Sequence, residues 1–275
     1  MDAVWVIVST VFVLAAVGLI LGLLLGLAGN VFAVKKDERV EAITTVLPGA
    51  NCGGCGFAGC SAYADAVVKG EAPVNKCSVG GDSVALQISQ IMGVNAQKTV
   101  RMRAEVACSG TCEKANKKYE YKGLQDCVSV SKLGNGPKEC PYGCIGLGTC
   151  VHACPFGAIL LKDDVAHVDA GKCQACGVCV AACPQHIIKL VPFESNVTVL
   201  CSSKDKGTQV REYCQIGCIG CGICAKNCPT NAITVDDNVA SIHYDLCIGC
   251  GICAQKCPRK VIQFIKDGRE EKIDV

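Results

Sequence analysis

The stretches CIGCGICAKNCP at residues 218–229 and CIGCGICAQKCP at residues 247–258 decide the fold of this chain. In each, three cysteines separated by two residues suit three corners of one cubane, and the fourth, followed by proline, ligates the neighbouring cluster. This reciprocal spacing predicts two 4Fe-4S clusters that share their ligands crosswise. One set is Cys218, Cys221, Cys224 and Cys257, and the other is Cys228, Cys247, Cys250 and Cys253.

The chain has 25 cysteines in 275 residues, and their grouping into glycine-containing blocks favours metal binding over a disulfide scaffold. The formal net charge is +2 and only 5% of the residues are aromatic, so nucleic acid is not expected as a partner. Each oxidised cluster with four thiolates adds about two negative charges. With five clusters we expect an acidic protein of net charge about −8.

The segment from Ala3 to Val34 carries no charged residue and is long enough to cross a membrane as one helix. Lys35, Lys36 and Arg39 follow it, whereas Asp2 precedes it. The positive-inside rule therefore predicts a single-pass anchor in the cytoplasmic membrane, with the N-terminus outside and the remaining chain in the cytoplasm. The alternative is a cleaved signal peptide, which would carry positive charge before the apolar run.

Gly18, Gly22 and Gly26 recur every four residues within this segment. They share one helix face, where another membrane helix could approach closely. An intramembrane partner is one interpretation, and the general frequency of glycine in membrane helices is the other.

A second cysteine block, NCGGCGFAGC at residues 51–60, is followed by Cys77 after a predicted helix. Its glycines allow backbone amides to approach cluster sulfurs. We expect a third cluster here, although four thiolates could also bind zinc. The predicted ligands are Cys52, Cys55, Cys60 and Cys77, and a further helix over residues 83–93 is expected to cap them.

Residues 140–184 repeat the ferredoxin pattern with wider spacing in the first block. The crossing rule predicts one cluster on Cys140, Cys144, Cys150 and Cys183, and another on Cys154, Cys173, Cys176 and Cys179. After each Cys-Pro pair a short apolar stretch predicts a covering strand. These strands are expected at residues 158–161, 187–191, 232–235 and 261–265.

Five cysteines remain outside these sets: Cys108, Cys112, Cys127, Cys201 and Cys214. We expect an additional, sixth cluster on Cys108, Cys112, Cys127 and Cys201. Cys201 is preferred to Cys214 as its fourth ligand because Cys214 is only four residues from Cys218. Buried free thiols are the alternative interpretation.

The expected fold is of the α+β class. The predicted domains are a membrane anchor at 1–34, a four-cysteine 4Fe-4S domain at 35–100, a linker with extra cysteines at 101–139, a first ferredoxin-like module at 140–192, a connector at 193–213 and a second ferredoxin-like module at 214–275.

The anchor, the NCGGCGFAGC block with Cys77 and the stretch CPYGCIGLGTCVHACPFGAI at residues 140–159 resemble the B subunit of the Rnf complex, a membrane-bound ferredoxin:NAD oxidoreductase. The resemblance covers essentially the whole chain, in a long form with two ferredoxin modules. It implies a 4Fe-4S cluster at the N-terminal site. It also implies an electron-transport subunit, with soluble ferredoxin as donor, in a translocase that couples NAD reduction to Na+ or H+ export.

The sequence contains no GxGxxG fingerprint in a strand-helix context and no P-loop, so no self-contained active site is expected. Flavin and NAD sites would then belong to the other membrane and peripheral subunits, as the resemblance implies. We expect the second module to receive electrons from ferredoxin, with Lys256, Arg259 and Lys260 at the docking face. The alternatives are a membrane-anchored polyferredoxin serving another reductase and a zinc-binding structural protein.

Overall fold

The computed structural model describes residues 2–31, 37–95, 100–266 and 269–270. It begins with helix α1 (Asp2–Val31), in which Trp5, Phe12 and Leu25 are more than two thirds exposed. The part from Ile7 to Ala28 is long and apolar enough to cross a membrane, and none of it is buried by the rest of the chain. Because an apolar helix needs apolar surroundings, α1 is compatible with a membrane anchor. Lys35 and Lys36 lie outside the described residues.

Three helices, α2 (Glu38–Val46), α3 (Cys60–Val68) and α4 (Gly81–Met92), form a small helical domain. Ile43, Tyr63 and Ile88, one from each helix, are almost completely buried where the helices meet. The predicted capping helix is therefore present as α4. The charged residues in the stretch 35–50 predict a short polar connector, but this stretch contains α2 because Ile43 and Leu47 bury an apolar stripe.

The next segment, expected to be a linker, contributes strand β1 (Met102–Val106) and helix α5 (Cys127–Ser131). The first ferredoxin module follows with α6 (Thr149–Ala153), β2 (Ile159–Lys162), β3 (Val165–Val168), α7 (Val178–Ala182) and β4 (Ile188–Pro192). Strand β2 pairs with β3, and β1 pairs antiparallel with β4. The segment before residue 140 is therefore an integral part of this module's sheet.

The second module has the same architecture. After the connector come β5 (Val197–Val199), α8 (Gly207–Tyr213), α9 (Ile223–Lys226), β6 (Ile233–Asp236), β7 (Val239–Ile242), α10 (Ile252–Lys256), β8 (Ile262–Lys266) and β9 (Arg269–Glu270). Strand β6 pairs with β7, and β5 pairs antiparallel with β8. The four covering strands predicted after the Cys-Pro pairs are all present, each within one residue of its predicted bounds.

The two modules share one numbering offset. Cys144 and Cys218 differ by 74 in residue number (218 − 144), and so do Ile188 and Ile262, which occupy equivalent positions in β4 and β8. The mixed helix and strand fold thus contains the ferredoxin module twice. In the chain, the two copies follow an apolar helix and a helical cysteine domain.

Candidate metal centres

All 25 cysteines lie within the described residues. In the helical domain, a cavity of about 360 Å³ is lined by the four cysteines expected there: Cys52, Cys55, Cys60 and Cys77. Asn51 fixes the start of α3, since its side-chain oxygen accepts from the Cys60 amide at 2.8 Å. The Gly80 amide donates to Cys77 Sγ at 3.4 Å, the kind of amide-sulfur contact that tunes a cluster.

The second ferredoxin module brings together both sets that its sequence predicts. A cavity of about 340 Å³ is lined by Cys218, Cys221, Cys224 and Cys257, and one of about 310 Å³ by Cys228, Cys247, Cys250 and Cys253. Two short helices, α9 and α10, hold the central cysteines. Each begins after a glycine with positive φ, Gly222 or Gly251, which lets the chain turn sharply between ligands.

The structure brings together one of the two sets expected in the first module, Cys154, Cys173, Cys176 and Cys179. Burial raises the pKa of Cys179 to about 11, and the charges of the other three residues contribute in the same direction. Backbone amides also reach these sulfurs, because Ala104 donates to Cys173 Sγ and Ala158 to Cys154 Sγ, both at 3.4 Å.

The other set in this module differs from its prediction. A cavity of about 380 Å³ is lined by Cys127, Cys144, Cys150 and Cys183, so that Cys127 stands where Cys140 was expected. The numbering offset gives the reason: Leu147 occupies the position of Cys221, and the first block lacks its middle thiol.

Helix α5 places Cys127 in that position. Asp126 caps the helix by accepting from the Ser129 amide at 2.8 Å, and it also accepts from the Thr149 hydroxyl at 2.9 Å. Thr149 in turn accepts from the Cys127 amide at 2.7 Å. The hydrogen bonds fasten Cys127 to α6, the helix that carries Cys150.

A sixth cysteine group lies between the modules. A cavity of about 400 Å³ is lined by Cys108, Cys140, Cys201 and Cys214. The expected additional site of Cys108, Cys112, Cys127 and Cys201 is therefore not the set that the structure assembles. Cys112 is exposed and belongs to none of the six groups. Cys214 and Cys218 are only four residues apart, but they line different cavities, so Cys214 does not crowd the ligand set of Cys218.

The buried thiols are poor ligands until a cation binds. Burial raises the pKa of Cys150 and of Cys201 to about 12, and neighbouring thiols contribute in the same direction. Thiolate is the form that binds metal, and iron would supply the positive charge that buried thiolates need. The donor sets therefore fit 4Fe-4S clusters, and they would supply all four ligands of each.

Neighbouring groups are in electrostatic contact from the helical domain through the first module. The charge of Cys52 contributes to the raised pKa of Cys176, although burial is the larger cause. Gly54 explains this closeness, since a β-carbon there would collide with the Cys176 carbonyl oxygen. Within the module, the charge of Cys179 acts on Cys150 in the same way.

Contacts continue through the sixth group into the second module. The Cys144 amide donates to Cys108 Sγ at 3.4 Å, and the Cys218 amide donates to Cys201 Sγ at 3.3 Å. Farther on, the charge of Cys224 contributes to the raised pKa of Cys253, after burial. The six groups thus follow one another as one continuous series.

A putative Fe-S cluster family matches residues 47–79, and the 4Fe-4S dicluster domain matches residues 143–187 and 217–261.

Relatives match over most of the chain. The B subunit of the Na(+)-translocating ferredoxin:NAD(+) oxidoreductase complex of Acetobacterium woodii is 47% identical over 85% of this chain and 70% of its own length. The chain belongs to the family of Rnf complex B subunits. The corresponding protein of the proton-translocating ferredoxin:NAD(+) oxidoreductase complex of Clostridium ljungdahlii is 43% identical over 86% of this chain and 84% of its own length. That of the ion-translocating oxidoreductase complex of Methanosarcina acetivorans is 41% identical over 86% of this chain and 90% of its own length.

Proposed function

We propose that this member of the family is the electron-relay subunit of a membrane complex that oxidises reduced ferredoxin and reduces NAD, coupled to Na+ or H+ translocation. The observation that carries the proposal is the series of cysteine groups from the helical domain to the second module, with close approaches at Gly54 and at the thiols of Cys108 and Cys201. An iron-sulfur cluster supplies a one-electron carrier when it is bound by four thiolates.

The protein's own residues hold and shield these carriers. Cys52, Cys55, Cys60 and Cys77 would hold one cluster, each ferredoxin module would hold two, and small apolar side chains pack around them. In the first module Val106, Ile159 and Ile188 are at most 5% exposed beside the thiols, and in the second Val197, Val261 and Ile262 are at most 4% exposed. Excluding water in this way adjusts the reduction potential and limits side reactions.

The direction of transfer is inferred from the positions of the ends. Helix α1 would anchor the helical domain at the cytoplasmic face of the membrane, with the N-terminus outside. The second module is the far end of the series, so we infer that soluble ferredoxin docks there. Electrons would then travel towards the helical domain and on to flavin- and NAD-binding subunits of the complex.

Of the three basic residues expected at the ferredoxin docking face, only Lys256 and Lys260 are exposed. The Arg259 guanidinium donates to the carbonyl oxygens of Cys214, at 2.5 Å, and Gly217, at 3.3 Å. Arg259 is thus occupied in hydrogen bonds to the loop that carries Cys214. The two lysines are the better candidates for contact with an acidic ferredoxin.

Membranes from cells that lack this chain provide the test. Ferredoxin-dependent NAD reduction should disappear, and it should return with the unmodified chain or with Cys112→Ala, but not with a Cys52→Ala/Cys55→Ala variant. Persistence of that activity without the chain would overturn the proposal and leave a polyferredoxin serving a different reductase.

A further inference from the structure

We propose that Cys108, Cys140, Cys201 and Cys214 hold a sixth 4Fe-4S cluster at the junction of the two ferredoxin modules, with two ligands from each. All four lie outside the segments that match the dicluster domain, 143–187 and 217–261. They also lie outside the CxxCxxC blocks. The inference rests on the proposed electron relay and adds the centre that joins its halves.

The repeat relates two of the four ligands. Cys140 and Cys214 differ by 74 in residue number (214 − 140), the offset that relates the modules, and each precedes the first thiol of its module, Cys144 or Cys218, by four residues. The two copies therefore bring equivalent cysteines to one cavity.

The other two ligands, Cys108 and Cys201, occupy equivalent positions after strands β1 and β5. Val106 of β1 lies opposite Ile188, and Val199 of β5 lies opposite the equivalent Ile262. Cys108 and Cys201 each follow two residues after that valine. The backbone hydrogen bonds of the intervening residues also match, since Ala107 donates to the Ile187 carbonyl at 2.8 Å and Leu200 to the Val261 carbonyl at 2.9 Å.

Each of these thiols is tied to its own module by the same contact. The amide of Cys144 donates to Cys108 Sγ at 3.4 Å, and that of Cys218 donates to Cys201 Sγ at 3.3 Å. A relationship of equivalent positions in the two modules therefore holds for all four thiols. It explains why neither module alone, and no short sequence motif, contains the complete ligand set.

Thiols from opposite modules also converge. A β-carbon built on Gly110 would lie 3.7 Å from Cys108 Sγ and 3.9 Å from Cys214 Sγ. All four cysteines thus line one cavity, to which each module contributes two of them.

The segment after Cys112 fastens the two halves of the site. The Asn116 amide donates to the Tyr213 carbonyl at 2.8 Å, and the Asn116 carbonyl accepts from the Glu139 amide at 2.9 Å. One residue therefore holds the backbone next to Cys140 and next to Cys214. Arg259 adds its hydrogen bond to the Cys214 carbonyl.

The negative charge of a cluster in this cavity would be partly compensated by a buried lysine. Lys138 lines it and is only 2% exposed, with its ammonium donating to the Asp164 carbonyl at 2.8 Å. A buried lysine needs a nearby acceptor or negative charge. A cluster with four thiolates carries about two negative charges and would meet that need, as would a zinc ion with four thiolates. Because this site contacts the predicted cluster ligands of both modules, a 4Fe-4S cluster is favoured over a zinc ion.

The position of the site gives it a role. Its thiols touch the first ligand of each module, so a carrier held there would take one electron from one module and give one electron to the other, with no atom transferred. Without a carrier at this site, there would be no electron carrier between the two modules.

A Cys108→Ala/Cys201→Ala double variant of the full chain, purified anaerobically, tests the proposal, with Cys112→Ala as the matched control. The double variant should lose about four iron and four acid-labile sulfide per chain and keep the other clusters. Cys112→Ala should lose none. Unchanged iron in the double variant, or one zinc per unmodified chain, would overturn the proposal.

If the double variant loses every cluster by failing to fold, the unmodified chain decides. About 24 iron and 24 sulfide per chain support the site, and about 20 of each overturn it. The proposed electron relay has its own test in NAD reduction by membranes. Loss of that activity without the chain, together with about 20 iron per chain, would overturn the sixth site alone.

Discussion

The first and second ferredoxin modules share two antiparallel strand pairs and eight equivalently spaced cysteines, but they differ at one cysteine position. The second has Cys221, and the first has Leu147. The first module completes its thiol group with Cys127, which lies outside the repeat and is carried by α5. A cluster site can therefore keep its place in a fold while one ligand comes from another part of the chain.

The comparison also shows what the modules have in common beyond a ferredoxin. Each adds one strand before its first cysteine block and one thiol after that strand, at Cys108 or Cys201. Each also has a cysteine four residues before the block. In an isolated module such thiols would have no partners, whereas here they meet at one cavity.

Replacement of Cys127, the ligand that lies outside the repeat, is expected to have the largest effect on iron content. Cys127→Ala should lose up to about four iron per chain, because it removes one of four thiols. Leu147→Cys in the same chain should restore the iron, since residue 147 is equivalent to Cys221 and Leu147 packs beside Cys127. Iron and sulfide analysis checks both, with Cys112→Ala as control. Full iron in Cys127→Ala would contradict the assignment of Cys127.

Disruption of the contact between the helical domain and the first module is expected to have the next largest effect. Gly54→Ala places a methyl group against the backbone of Cys176, and overpacking of this kind costs about 1–3 kcal/mol. We expect normal iron content but slower ferredoxin-dependent NAD reduction by membranes. Gly171→Ala is the control, because its β-carbon would approach only the Asp169 side chain. Equal rates for the two variants would show that electrons leave the first module elsewhere.

Docking of ferredoxin should distinguish the outer faces of the modules. Lys256→Glu/Lys260→Glu in the second module should slow reduction by ferredoxin about tenfold at low salt, with less effect at high salt. Lys162→Glu/Lys189→Glu, at exposed positions of the first module, should have little effect. Stopped-flow reduction at two ionic strengths measures both, and the reverse ranking would move the docking face to the first module.

The smallest effect is expected at the surface of the junction. Lys117 and Asp164 form an ion pair at 2.6 Å, but the side chains are 40% and 42% exposed. Exposed pairs contribute about 1 kcal/mol or less. Lys117→Met should therefore change stability by less than about 1 kcal/mol, measured as loss of cluster absorbance during thermal unfolding. A loss above about 2 kcal/mol would mean that this pair stabilises the segment around Lys117 more than an exposed pair should.

Local spacing was sufficient for much of this architecture. The four covering strands, the capping helix and the groupings in the helical domain and second module follow from motifs in which ligands and turns are close in sequence. Cys108, Cys140, Cys201 and Cys214 were harder to group, because the strand pairings and loops that bring them together join residues far apart in the chain. The offset of 74 was the available signal, since it pairs Cys140 with Cys214 and reveals Leu147 in place of a cysteine.

The central claim is that the modules form one continuous series of six cysteine groups and leave Cys112 outside it. Native mass spectrometry of the anaerobically purified full chain, after alkylation of accessible thiols, tests it most directly. We predict a mass equal to six 4Fe-4S clusters and one alkyl group, the latter on Cys112. Five clusters, or alkylation of Cys108, Cys140, Cys201 or Cys214, would contradict it.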